Sequence, residues 1–330
     1  MSTDKTAPLS LGWALIGCGG AGNNHAQWAM STPGVEIHGF CDKFTEAAEH
    51  FHQKYDGSYY TTDPERIFTD PSVDIVSIAT SHHSHADLAV AACKARKHLF
   101  LEKPMAMTTL DCLRIYQAME AADVKLTIDF SIRFSGAARL IKEKISPPLV
   151  SHGQCMMSKA DLSRWRWHPE EGEAPLYDVG VHAIDLLHNS DPTEVYATGG
   201  HITHPGELGT EDMIDTVAAT IRFSNNSVAT FLISDAGSSP VVSKWFFEFF
   251  DGSRPAILHE HFSRVTFGDG QTSKPPSIER LPLLVEAIYH DMEPYVPPRA
   301  SIVSTLLVKT IIASIQTGNP QKTEIPNLNK

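Results

Sequence analysis

The tightest constraint on this chain is six residues long. Gly17-Cys18-Gly19-Gly20-Ala21-Gly22 follows the apolar run Trp13-Ala14-Leu15-Ile16 and opens an amphipathic stretch near Ala21. A strand that feeds a helix through glycines spaced G-x-G-x-x-G has few structural solutions. The first glycine permits a tight turn, the second lets backbone approach an anion, and the third lets helix and strand pack closely. Free N–H groups at the helix start then favour a phosphate. Gly17, Gly19, Gly20, Ala21 and Gly22 are therefore candidate ligands of a dinucleotide pyrophosphate.

The flanking sequence supports that context. Strand-length apolar runs at Trp13 to Ile16, Val35 to Cys41, near Tyr60, Ile75 to Ala79, His98 to Leu101 and Lys125 to Phe130 alternate with helices beginning near Ala21, Phe44, Pro64, His85 and Thr109. Continuous apolar strands alternating with helices predict a doubly wound α/β Rossmann domain, its parallel sheet covered on both faces. After residue 130 the rhythm changes. A helix at Ser135 to Ile145, a strand at Val150 to Ser158 and a helix at Tyr177 to His188 precede a hairpin of Asp215 to Phe223 and Ser227 to Ile233 around Ser224-Asn225-Asn226. Strand-like sequence at Lys244 to Phe250 and Ala256 to Phe262 follows, then a helix from Ser301 to Thr317 stopped by Gly318-Asn319-Pro320. Successive strands predict an α+β domain with a mostly antiparallel open sheet. The expected division is 1–129 and 130–330, with the closing helix a candidate to pack back on the first domain.

Composition narrows the function classes. Lys plus Arg number 27 against 39 Asp plus Glu, a net charge of -12, and no basic run gathers charge for a phosphate backbone, so nucleic acid is not an expected partner. The polar start Met1 to Pro8 has no signal-peptide core, and no run of about 18 apolar residues suggests a membrane span, so a soluble cytoplasmic protein is expected. Five cysteines without a Cys-x-x-Cys pair suggest buried thiols rather than disulfides or zinc.

Asp42 stands twenty residues after Gly22 at the end of the second expected strand, where a carboxylate can take both ribose hydroxyls of an adenosine. That favours NAD, while Lys43 beside it keeps NADP open. Glu102-Lys103-Pro104 follows the strand ending at Leu101, and Lys103 thereby reaches the carboxyl edge where open α/β sheets bind ligands; a surface lysine before a turn proline fits the tripeptide equally well. On the helix from Tyr177, Asp178, His182 and Asp185 lie four and three residues apart and share a face. An imidazole there suits taking a proton from an alcohol, with Asp178 fixing its tautomer, although a solvated polar helix face has the same pattern. Trp165, Arg166, Trp167 and His168 form an aromatic, basic loop suited to sugar faces or to packing, and Tyr177 has the same two readings.

These motifs together resemble the Gfo/Idh/MocA family of sugar and inositol oxidoreductases, nearly end to end. The glycine motif, Ile78 to His85, Glu102-Lys103-Pro104, Arg133-Phe134 and Asp178-Val179-Gly180-Val181-His182 stand in family order and spacing. The resemblance implies that Lys103, Asp178 and His182 meet at a nicotinamide and that Thr80, His82, His85 and Glu102 belong to the cofactor site. It also implies a homodimer or homotetramer; with the aromatic residues above, the substrate is expected against Lys103, Arg133, Trp165, Trp167, Tyr177, Asp178 and His182. Thr80-Ser81-His82 departs from the family's Thr-Pro-Asn, and Glu173-Ala174-Pro175 from its glycine triplet. Clustered His82, His83 and His85 raise zinc, but the family's loop lines the cofactor, so no metal is expected.

The expected chemistry is hydride transfer between NAD(P) and a secondary alcohol of a sugar, sugar derivative or cyclitol. His182 would act as base, Lys103 as ammonium and Asp178 as orienter. Two alternatives stay open: transient NAD oxidation that drives elimination from a glycoside, and a nucleotide-sensing regulator on the same fold.

Overall fold

A computed structural model describes residues 10–145, 147–157, 175–188, 190–205, 213–237 and 244–328. The chain divides into two compact units, and the division is discontinuous. Unit 1 takes the described residues up to Met105, Asp111–Asp129 and Glu279–Pro298; unit 2 takes those of Ala106–Leu110, Phe130–Ile278 and the chain from Arg299 on.

In unit 1, β1 (Leu11–Ile16), β2 (Val35–Cys41), β3 (Tyr59–Thr61), β4 (Ile75–Ile78), β5 (His98–Glu102) and β6 (Leu126–Asp129) form one sheet in the order β3-β2-β1-β4-β5-β6, with every pair parallel. Helices α1 (Gly20–Ser31), α2 (Thr45–Tyr55), α3 (Glu65–Phe68), α4 (His85–Lys94) and α5 (Thr109–Ala122) connect them. β4 is buried at all four positions, as a strand covered on both faces must be. The strand order reverses between β1 and β4, which opens a crevice at their carboxyl ends.

Unit 2 holds α6 (Gly136–Lys144), β7 (Val150–Met156), α7 (Val181–Leu187), β8 (Pro192–Gly200), β9 (Thr216–Phe223), β10 (Val228–Ser234), β11 (Trp245–Phe250), β12 (Ala256–His259), β13 (Arg264–Phe267) and β14 (Thr272–Ser273). α8 (Arg280–Tyr289) follows within the segment that belongs to unit 1, then α9 (Pro298–Thr317) and β15 (Gln321–Lys322). The sheet order is β14-β13-β12-β11-β7-β10-β9-β8-β15. The expected hairpin is β9 with β10, turning through Asn226 at φ 66°. One pair, β7 with β10, is parallel. β9 alternates buried Val217, Ala219 and Ile221 with exposed Ala218, Thr220 and Arg222, the signature of a sheet covered on one face.

Three expectations change. The expected strand Ala256 to Phe262 stops at His259, because Glu260, His261 and Phe262 turn left-handed at φ 50°, 53° and 66°. α8 returns to unit 1, where Leu281, Leu284 and Val285 join the core of Trp13, Leu15, Phe40, Ile75 and Phe100; the closing helix α9 belongs to unit 2. By length and composition alone, α9 is apolar enough to cross a membrane. Its Ile302, Val303, Leu307, Val308 and Ile311 are instead core residues, and Ser314 Oγ accepts the Ala197 N–H of β8 at 2.9 Å.

Candidate functional site

Unit 1 builds a nucleotide cradle from the glycine loop. Gly17 sits at φ 101°, and a Cβ there would meet the Ala79 carbonyl oxygen at 2.3 Å, so only glycine makes this turn without strain. A Cβ on Gly22 would stand 2.0 Å from Gly17 O, where α1 presses on the loop. Gly19 and Gly20 differ: no protein atom lies within 4 Å of a Cβ at either position, so packing does not demand glycine there. Ala21 follows in the first turn of α1. Asp42, just past β2, is bound to the loop itself. Its Oδ2 accepts the Cys18 N–H at 2.8 Å and its Oδ1 the Phe44 N–H at 3.0 Å. Lys43 is exposed, its ammonium 5.3 Å from the Phe44 ring centroid.

Across the crevice, the segment after β4 is knit internally. Ser84 Oγ donates within 2.8 Å of Thr80 Oγ1 and Ser81 O. Thr80 stays half-buried, whereas His82 and His85 are buried with their rings 5.9 Å apart. For His85 the expected cofactor-facing role is corrected. Its Nδ1 lies 2.7 Å from Pro104 O and its Nε2 3.3 Å from Thr80 O, so the ring braces two loops and shows no surface. Burial holds this imidazole below its ordinary pKa, against the pull of the Pro104 carbonyl, and the neutral ring gives its one N–H to the shorter contact. Lys103, half-buried, leaves the end of β5 with its backbone N–H on Glu102 Oε2 at 3.2 Å.

Unit 2 carries the helical group. Residues Leu176–Gly180 form a single π turn ahead of α7, where an unbroken α-helix was expected. The Pro175 carbonyl accepts both the Val179 N–H at 2.9 Å and the Gly180 N–H at 3.0 Å, which widens the turn bearing Asp178. His182, in the first turn of α7, has the Phe130 ring edge-on at 6.0 Å. Tyr177 is core rather than lining: it is 1% exposed and its hydroxyl donates to Met107 O at 3.0 Å. Asp185 turns to Arg133, whose Nε and Nη2 donate at 2.6 and 2.8 Å as a fork. Trp165 and Trp167 lie outside the described residues.

Residues 11–130 match the model of an oxidoreductase family with an NAD-binding Rossmann fold, and residues 143–242 match the GFO/IDH/MocA C-terminal domain. The chain belongs to the Gfo/Idh/MocA oxidoreductase family. Among its Gfo/Idh/MocA relatives, 1,5-anhydro-D-fructose reductase of Ensifer adhaerens is 28% identical over 66% of this chain and 68% of its own length. Myo-inositol 2-dehydrogenase of Thermotoga maritima is 24% identical over 65% of each chain. This chain therefore spans about two thirds of those curated relatives. A levoglucosan dehydrogenase solved in complex with NADH shares the fold, with a TM-score of 0.86 over 96% of this chain and 99% of that one, at 21% identity.

This Gfo/Idh/MocA chain also holds a cluster that sequence reading missed. His25, Glu102, Asp129 and Arg280 come together inside unit 1 from positions far apart in the chain. Only Glu102 carries a sequence signal, through the Glu-Lys-Pro motif. The five cysteines are free and buried as expected; burial pushes Cys41 and Cys93 up to about 12.

Proposed function

We propose that this protein catalyses the reversible oxidation of a secondary alcohol on a sugar, sugar derivative or cyclitol, with NAD as the preferred acceptor. The observation that carries the reading is a glycine cradle locked to Asp42, in a chain that keeps Lys103 after β5 and Asp178 and His182 around the start of α7. A dinucleotide fits the cradle. Gly19 and Gly20 leave backbone clear for a pyrophosphate, and Asp42 is already oriented by two N–H donors with lone pairs left for ribose hydroxyls. A 2′-phosphate would meet the same carboxylate and be repelled, which supports NAD over NADP. When bound, the nicotinamide supplies the hydride acceptor.

The chain's own groups supply the rest. The His182 imidazole takes the hydroxyl proton as the carbon loses hydride, and Asp178 orients the ring and stabilises its cation. The Lys103 ammonium balances the charge developing on the substrate oxygen. From the family resemblance we read the protein as a homodimer or homotetramer, which light scattering tests. Function is tested by screening sugars, anhydrosugars, inositols and keto-sugars with both cofactors and following reduced nicotinamide. A dehydrogenase accumulates it mole for mole with product, and His182→Ala and Lys103→Met should each lose at least about a hundredfold in kcat/KM while still binding NADH. Turnover with only catalytic NAD would assign elimination chemistry instead. NADH binding without turnover across the panel would assign a sensor.

A further inference from the structure

Two carboxylates stand side by side at the carboxyl edge of unit 1. Glu102 ends β5, Asp129 ends β6, and they are register partners in that parallel pair. From α1, His25 brings Nε2 to 3.3 Å from Glu102 Oε1. From α8, Arg280 Nη1 donates to the two oxygens of Asp129 at 2.8 and 2.6 Å. His25 and Asp129 are 1% and 2% exposed, so water does little to screen these charges. Rings complete the enclosure. His25 packs against Trp28 and Phe100, with centroids at 5.1 and 4.9 Å, and the Arg280 guanidinium lies over Trp28 at 4.4 Å.

The ligand atoms of His25, Glu102 and Asp129 lie within 4.8 Å of one another, close enough to hold a metal ion. Arg280 argues against that use, because its guanidinium already supplies positive charge to both Asp129 oxygens and would face the ion. A different role follows from what Glu102 touches next. Its second oxygen accepts the Lys103 N–H, and His85 holds the following carbonyl, of Pro104, so the Lys103–Pro104 turn is gripped from both sides.

We propose that Asp129 and Arg280 are positioning residues for Lys103: Arg280 keeps the charge of Asp129 in balance, leaving Glu102 to orient the Lys103 backbone and set the field at its ammonium. With both carboxylates ionised, the two carboxylates and the guanidinium sum to one negative charge. Burial and the charge of Glu102 push Asp129 up, while Arg280 and His25 pull it down. The guanidinium, donating to both oxygens at 2.8 and 2.6 Å, favours the ionised form of Asp129. Among the described residues of this unit, Glu102 on β5 and His85 on α4 act on Lys103 directly, while His25 on α1, Asp129 on β6 and Arg280 on α8 are joined to it through Glu102. The catalytic meaning of this coupling rests on the role proposed for Lys103, but the coupling itself is a property of unit 1.

The test is competitive acetylation of the full chain with trace acetic anhydride, read at Lys103 by peptide mass spectrometry, with exposed Lys43 as internal control. Only the unprotonated amine reacts, so the rate reports the field at Lys103. Asp129→Asn and Glu102→Gln each remove one negative charge and should speed Lys103 acetylation at pH 8 about three- to tenfold, with Lys43 unchanged. The double variant Asp129→Asn, Arg280→Met restores the charge sum and should return within about twofold of the parent. If Asp129→Asn does not fold, Glu102→Gln and the double variant carry the same two expectations. Rates within twofold of the parent in every folded single variant, or a double variant as fast as Glu102→Gln, would overturn the proposal. No substrate enters the assay, so a failed dehydrogenase screen leaves its outcome readable.

Discussion

Asp42 accepts two backbone N–H groups from the loop and turn around it, and this fixes where its charge stands. A carboxylate held that way cannot swing aside for a 2′-phosphate. Asp42→Ser should therefore narrow the preference for NADH over NADPH by at least about tenfold, read as the ratio of dissociation constants from fluorescence titration. Asp129 makes a pH prediction. Its carboxyl is pushed from 3.8 up to about 6, so the folded chain holds this proton more tightly than the unfolded one. Stability from this group is present below 3.8 and lost as pH rises through about 6. Denaturant melts from pH 4 to 7 should show the parent losing ground to Asp129→Asn as pH rises. The two aspartates differ in legibility. Asp42 stands in a contiguous pattern of motif, strand and acid, and its place beside the glycine loop follows from that pattern. Asp129 and Arg280 are 151 positions apart, and neither has a local pattern that announces the other.

Elements were legible where burial imposed a period. The six parallel strands and the β9–β10 hairpin follow from apolar runs and alternation; β8 passed unseen because polar residues interrupt its apolar ones, and α8 because Pro282 stands in its first turn. The π turn at Leu176–Gly180 escaped for another reason: it arises from which carbonyl Gly180 selects, a choice that periodicity does not encode. Of the residues expected to share one helix face, Asp178 stands in the π turn, whereas His182 and Asp185 stand on α7. Asp185 is buried and forked by Arg133, which ties the helix to the segment Ser131–Phe134. Arg133→Met would strand a carboxylate that is 3% exposed, at a cost of about 3 kcal/mol or more, whereas Arg133→Met with Asp185→Leu should recover most of that loss. Urea denaturation of the two variants checks both statements.

For the molecule as a whole, one unit edge falls at Asp129, but the return of the chain has no sequence signal, because Leu281, Leu284 and Val285 look like any amphipathic helix until their partners are known. Burying such side chains contributes about 1.5–3 kcal/mol each, together comparable with the net stability of a domain. A fragment of residues 10–129 should consequently bind hydrophobic dye and melt without a cooperative transition. The same fragment joined by a linker to 279–298 should melt cooperatively by calorimetry; equal behaviour of the two would contradict the assignment.

That late return also sets a clock on synthesis. Glu279 follows Asp129 by 150 residues (279 minus 129), which a ribosome takes roughly 8 to 30 s to add at about 5–20 residues per second. Throughout that interval the nascent Rossmann sheet waits with the patch for α8 bare and Asp129 without its guanidinium. The glycine loop leaves the ribosome first, yet the unit that holds it is completed by a helix from the final sixth of the sequence, and chaperones have that whole interval in which to engage it.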